Sequence, residues 1–177
     1  VSRKVILLVL VSGAILFVDQ LTKGLISRSL KLHESTVVVK GFFSLTYIRN
    51  PGAAFGVFAD STDGFRTVFF LVISSLAILL LAYFFLKVPR EDSVSLVAIA
   101  LLFGGALGNL IDRIRFGEVI DFLDFYFGAY HWPAFNVADS AITVGISLLI
   151  LDAFIRRQIQ TDPPRDPFIQ GRFKGNG

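Results

Sequence analysis

Four stretches of this chain are apolar for long enough to cross a bilayer, and nothing else in the sequence restricts its fold so strongly. They run from about Val5 to Ile26, Phe65 to Leu86, Val94 to Ile111 and Val137 to Ile155. A spanning helix needs about 20 residues, within a range of about 17–25. The third stretch is at the short end, and Gly104, Gly105 and Gly108 weaken it as an isolated helix. Glycines at 104 and 108 also have the small-xxx-small spacing of closely packed membrane helices. Composition points the same way: 54% of the 177 residues are hydrophobic and the mean hydropathy is +0.68, more than a soluble domain of this length carries.

The connections differ in kind. "KVPRED" (87–92) is short and charged, whereas about 27–64 and 112–136 are long. Within the first long connection, "STVVVKGFFSLTYIRN" is rich in β-branched and aromatic residues and interrupted by Gly41, which predicts a hairpin of two short strands. In the second, "VIDFLDF" (119–125) reads as extended. The segment "TDPPRDPFIQGRFKGNG" lacks an apolar period and is expected to be disordered. One four-span domain over 1–156 and a tail over 157–177 follow. Arg3 and Lys4 precede an apolar run to Val18, like a signal peptide, but "DQLTK" follows in place of a small-x-small cleavage site, so the segment reads as a retained anchor. Basic residues flank the spans at Arg3, Lys4, Lys87, Arg90, Arg156 and Arg157, which places both termini and the short loop in the cytoplasm.

Several chemistries are excluded. The chain has no cysteine and two histidines, His33 and His131, so thiol catalysis and a three-histidine zinc site are impossible. "HESTV" (33–37) has Val37 where an H-E-x-x-H motif needs its second histidine. No cofactor or metal is expected. The net charge of +3 forms no basic stripe, and no nucleic-acid partner is expected.

Four spans bring the end of the first, the start of the second, the end of the third and the start of the fourth to one face. The unusual polar residues collect there: Asp19 and Lys23, Asn109, Asp112 and Arg113, Asn136 and Asp139, with Asn50 and "VIDFLDF" in the adjoining loops. Orientation makes this the outer face. Each residue has a plain structural role open to it. Asp19 and Lys23 have the spacing of a helical ion pair. Asp112 and Arg113 can mark a helix leaving the membrane. Asn136 and Asp139 can cap a helix. Their convergence is what points to a site, because ionisable groups at hydrocarbon are costly. With no G-x-S-x-G elbow, two facing carboxylates remain as the available chemistry. Such a pair cannot fully ionise, so one member activates water while the other donates a proton. The candidate pairs are Asp121 with Asp124, Asp121 with Asp139, and Asp112 with Asp139. An extended "VIDFLDF" puts Asp121 and Asp124 on opposite faces and argues against the first.

"VDQLTK" (18–23), "RNPGAAFG" (49–56), "GGALGNLIDR" (104–113), "VIDF" (119–122) and "FNVADS" (135–140) occur in an order that resembles the lipoprotein signal peptidases, or signal peptidases II. These are aspartic endopeptidases of the bacterial inner membrane and targets of the antibiotic globomycin. The resemblance implies a mainly α integral membrane protein, a four-helix bundle with a small β-sheet and loop on the outer, periplasmic face. It implies removal of signal peptides from prolipoproteins just before a cysteine carrying diacylglycerol, with prolipoproteins and membrane lipids as partners. A monomer is expected. By motif, the catalytic dyad falls on Asp121 and Asp139. Supporting positions fall on Asn50, Gly52, Asn109, Arg113 and Asn136, and on Asp19, Lys23 and Asp112. We expect Asn109 and Asn136 to orient the dyad or hold the scissile backbone, and Asn50 beside Gly52 to contact substrate. Arg113 either pairs with Asp112 or balances negative charge. Asp19 with Lys23 is expected to be structural, and Asp124 to be a surface or hydrogen-bonded carboxylate. An ion-coupled transporter built on the same acids would need polar residues through the inner halves of the spans, which are nearly all apolar. A non-catalytic scaffold is the third reading.

Overall fold

The computed structural model describes residues 2–52 and 62–161. Its helices are α1 (Arg3–Ser29), α2 (Asp63–Lys87), α3 (Ser93–Phe116) and α4 (Val137–Thr161). All four are long and apolar enough to cross a membrane. Each start has a local cause. Ser2, Thr62 and Asp92 accept from the backbone N–H three residues on and cap α1, α2 and α3. The last turn of α2 gives way at Val88, which precedes Pro89 and is held extended by it. The third span is longer than its sequence suggests. It continues past Ile111 to Phe116, because its stop signal is Gly117, left-handed at φ 76°, rather than the polar residues from Asn109 onward. α4 likewise continues through Thr161, into the segment expected to be tail; residues 162–177 lie outside the described residues.

α3 is the central helix and packs against the other three. Its glycines permit this. A Cβ on Gly104 would sit 2.8 Å from the Ser12 carbonyl of α1, and one on Gly105 would sit 2.5 Å from the Ala138 carbonyl of α4. Backbones therefore approach where any side chain would hold them apart. Away from these seams the helices turn large apolar side chains outward, such as Leu10, Leu79, Leu86 and Ile150, as a surface solvated by acyl chains requires.

The strands are β1 (Ser35–Val39), β2 (Phe43–Asn50), β3 (Val119–Phe127) and β4 (Tyr130–His131), in that order across an antiparallel sheet. The expected hairpin is β1–β2, turning through Gly41 at φ 80°. The expected extended segment is β3. It pairs with β2 although two helices separate them in sequence, with Ile48 opposite Asp121 and Asn50 opposite Val119. Tyr47, Ile120 and Phe122 pack with Ile26, and Leu30 lies against them, seating the sheet on the end of α1. Side chains alternate along a strand, so Asp121, between Ile120 and Phe122, points away from that contact.

Candidate active site

The end of the bundle beneath the sheet holds four carboxylates in two sets. The first set centres on Lys23, whose side chain is 2% exposed. Lys23 Nζ lies 2.9 Å from Asp19 Oδ2 and 2.9 Å from Asp112 Oδ2. It also donates to Asn109 Oδ1 at 2.9 Å. An ammonium has three protons and no acceptor, and all three are used. The i, i+4 pair expected on the first span is therefore present, with Asp112 of α3 added to it. Both acids do further work. Asp19 Oδ1 accepts from Ala138 N at 2.9 Å, and Asp112 Oδ2 accepts from Ile120 N at 3.1 Å. Asp19 reaches this position because Gly108 has no side chain: a Cβ there would stand 2.6 Å from Asp19 Oδ2.

The second set is Asp121 and Asp139. Asn136 and Asp139 cap α4 reciprocally. Asp139 N donates to Asn136 Oδ1 at 2.9 Å, and Asn136 N donates to Asp139 Oδ2 at 3.3 Å, which is a capping box. The plain capping role is thus real, and it does not displace the other one. With its oxygen committed to the backbone, Asn136 must turn its amino group toward β3, where Nδ2 donates to Asp121 Oδ1 at 2.7 Å. The same residue therefore holds both acids. Asp121 Oδ2 accepts from Asn50 Nδ2 at 3.0 Å, and Asp139 Oδ1 from Asn109 Nδ2 at 2.7 Å. Among the described residues each of the four carboxylate oxygens has one such donor, and none has a cation in contact. Burial, then the charge of Asp139, push the carboxyl of Asp121 up to about 7, against the hydrogen bonds from Asn50 and Asn136 and the more distant charge of Lys23. Asp121 thus holds its proton close to neutrality, as expected of one member of a facing pair.

The remaining expected residues fall around this centre. Gly52 adopts φ 90°, and its N–H donates to Asn50 Oδ1 at 2.8 Å. This fixes the Asn50 amide with its amino group toward Asp121. Arg113 does not pair with Asp112, which Lys23 already occupies. Arg113 Nη1 donates to Ser74 Oγ of α2 at 3.3 Å, and its guanidinium lies 5.6 Å from the Phe70 ring centre. Its charge still acts on Asp139, Asp121 and Asp112. Asp124 is 8% exposed and contacts His131 Nδ1 at 2.9 Å, outside the site. Gln20 was not among the expected residues. Its Nε2 donates to Asp112 Oδ1 at 2.9 Å and to the Gly108 carbonyl at 3.2 Å. Its signal was a second polar side chain beside Asp19 inside an apolar span. On the other side of Asp139, a cavity of about 410 Å³ is lined by Trp132, Phe135, Ser140, Thr143 and Val144. The hydroxyls of Ser140 and Thr143 are turned back onto the Asn136 and Asp139 carbonyls, at 2.8 Å each. That leaves an apolar approach to the carboxylate.

A multi-pass membrane bundle with one buried and one half-buried carboxylate, both amide-held, at one end has the features of a membrane hydrolase of the aspartic kind. Residues 11–155 match the family model of signal peptidase (SPase) II, and the chain belongs to that family. It is 52% identical over 145 residues to the lipoprotein signal peptidase of Syntrophotalea carbinolica, covering 82% of this chain and 89% of that one. It is 52% identical over 149 residues to that of Desulforapulum autotrophicum, covering 84% and 92%. Two bacterial membrane enzymes solved by the in meso method, at 2.3 and 1.9 Å resolution, share the fold. The first superposes with a TM-score of 0.76 at 35% identity, over 89% of this chain and 92% of that one. The second does so with a TM-score of 0.74 at 39% identity, over 82% and 91%.

Proposed function

We propose that Asp121 and Asp139 are the catalytic dyad of this signal peptidase, which removes the signal peptide from prolipoproteins just before the diacylglyceryl-bearing cysteine. The observation that carries the assignment is the contrast in partners: among the described residues these two acids are held by side-chain amides and backbone, while the neighbouring two share a lysine. Asp121 begins protonated and donates to the oxygen of the scissile carbonyl. Asp139 begins ionised and takes a proton from the attacking water. As the tetrahedral intermediate collapses, the C–N bond breaks and the amine of the lipidated cysteine leaves with a proton from the pair. Asn109, Asn136 and Asn50 hold the dyad through their amino groups, so both acids keep their oxygens in place without an added charge. Gly52 fixes Asn50, and Arg113 supplies positive charge from a distance.

The apolar approach beside Asp139 suits a substrate that arrives within the lipid plane. With basic residues flanking the opposite ends of the helices, the site lies at the outer leaflet of a bacterial inner membrane and both termini are cytoplasmic. Residues 1–156 act as one domain, as a monomer among membrane lipids, and globomycin competes for the same site. The test is cleavage of a diacylglyceryl prolipoprotein peptide in detergent by Asp121→Asn and Asp139→Asn separately. Each is expected to lose about 10³-fold or more in kcat. A folded variant of either kind that cleaves at the parent rate would sink the assignment, as would loss of parent activity on chelation of metals.

A further inference from the structure

Lys23 was expected to form a structural ion pair, yet its three contacts lead somewhere more specific. Asp19 holds Ala138 N, the peptide N–H immediately before Asp139. Asp112 holds Ile120 N, the peptide N–H immediately before Asp121. Asn109 holds the Asp139 carboxylate itself. These arms reach the dyad from α1 and α3, while the acids they grip sit on β3 and α4.

We propose that Lys23 is a positioning residue for peptide cleavage, a hub whose three protons set both dyad aspartates through Asp19, Asp112 and Asn109. The Asn109 arm rests on the chemistry of the donor. Lys23 can only donate, so the oxygen of the Asn109 amide must face it and the amino group must face Asp139 Oδ1. A second donor, Asn136 Nδ2, approaches the same oxygen at 3.3 Å. It is the weaker hold, because Nδ2 has two protons and also serves Asp121 Oδ1 at 2.7 Å and the Ile120 carbonyl at 3.2 Å. The charge-assisted bond from Lys23 at 2.9 Å decides the orientation. Without Lys23 the amide is free to rotate and present its oxygen to a carboxylate. Asp19 and Asp112 would also lose the partner that fixes their grip on the two peptides.

The inference rests on the dyad assignment above, and its test is separable from it. Lys23→Met combined with Asp112→Asn removes one positive and one negative charge together, so the cluster keeps the net charge of the parent and Asp19 is left as its one anion, in place of the two that Lys23→Met alone would leave. The comparison is Asp112→Asn alone, which leaves Lys23 bonded to Asp19 and Asn109. Relative to that reference, the double variant is expected to lose about 10- to 100-fold in kcat with KM unchanged, since Lys23 does not reach substrate. Adding Asn109→Ala to both should shrink the effect of removing Lys23, because one arm is already gone. A folded double variant with the kcat of the reference, a change in KM alone, or losses that simply multiply would overturn the proposal. If Lys23→Met with Asp112→Asn does not fold, Lys23→Leu with Asp112→Asn, which also brings no donor, is read by the same criteria. Failure of both to fold also overturns it, since Lys23 would then belong to the fold and not to the dyad. Parent enzyme that does not cleave the lipidated peptide refutes the peptidase reading instead.

Discussion

Asp19 and Asp112 differ from Asp121 and Asp139 in what has been put beside them, although all four lie buried or half-buried at the same end of the bundle. The first two share an ammonium at 2.9 Å. Among the described residues, the second two receive N–H groups from asparagines and backbone and no cation. A contacting cation offsets the charge of a carboxylate, which suits a group that holds peptides in place. An amide stabilises an anion by less and leaves the proton affinity high, which suits a group that must gain and lose a proton. The lysine-bound pair and the proposed catalytic pair are thus adjacent but chemically distinct.

The contrast can be broken most severely from the neutralised side. Lys23→Met alone leaves Asp19 and Asp112 buried without their cation, and is expected to cost about 3–5 kcal/mol in stability. Chemical denaturation in detergent measures this, and a loss below about 1 kcal/mol would mean that water or a neighbouring proton replaces the lysine. From the side of the proposed dyad the expected effect is opposite in sign. Asp121 titrates at about 7 in the folded protein against 3.8 for the free group. Between those values the native state holds the extra proton, so stability falls as pH rises through that window and is level above it. Asp121→Asn has no such proton to lose. Its melting temperature relative to the parent should therefore rise from pH 4 to pH 7 and then stay constant, while activity is absent throughout. A parent whose stability stays level or rises across that interval, relative to the variant, would show that the Asp121 carboxyl is not raised above its ordinary value. The smallest change marks the limit of the comparison. Arg156 lies in a pair of exposed ion pairs, 2.7 Å from Asp92 and 2.7 Å from Asp152. Screening by water makes such pairs weak, and Arg156→Ala should leave the melting temperature unchanged within error.

Much of the scaffold can be read without coordinates, and particular residues show where that stops. The spans, the β1–β2 hairpin and the start of α4 are local patterns of length, alternation and capping, so Asn136 and Asp139 declare themselves as a helix start. The end of α3 is hidden because polar residues at Asn109–Arg113 look like an exit from the membrane, while the helix continues until a glycine stops it. The pairing of β2 with β3, which sets Asp121 against Asn50, joins segments with two helices between them and has no local signature. The partner proposed for Asp121 therefore comes from family resemblance, where the residues alone offered three carboxylate pairs and argued only against Asp121 with Asp124. Arg113 shows the same limit in reverse. Its sequence neighbour Asp112 looked like a natural partner, but a cation on another helix had already taken that acid. Gln20 was overlooked because an amide beside two charges draws less notice, though it bridges Asp112 and α3.

Among the described residues each oxygen of the proposed dyad has a single donor, which has a bearing on inhibitor chemistry. The asparagine amides that face the acids are already committed, and Asn136 cannot be recruited by a drug without also unwinding the first turn of α4. What stays open at each oxygen is its second lone pair. A compound for this site should therefore present hydroxyl or ammonium protons toward the gap between the acids, and place its oily portion toward Trp132 and Val144. Resistance by substitution of the amides would then come only at the expense of the enzyme's own architecture.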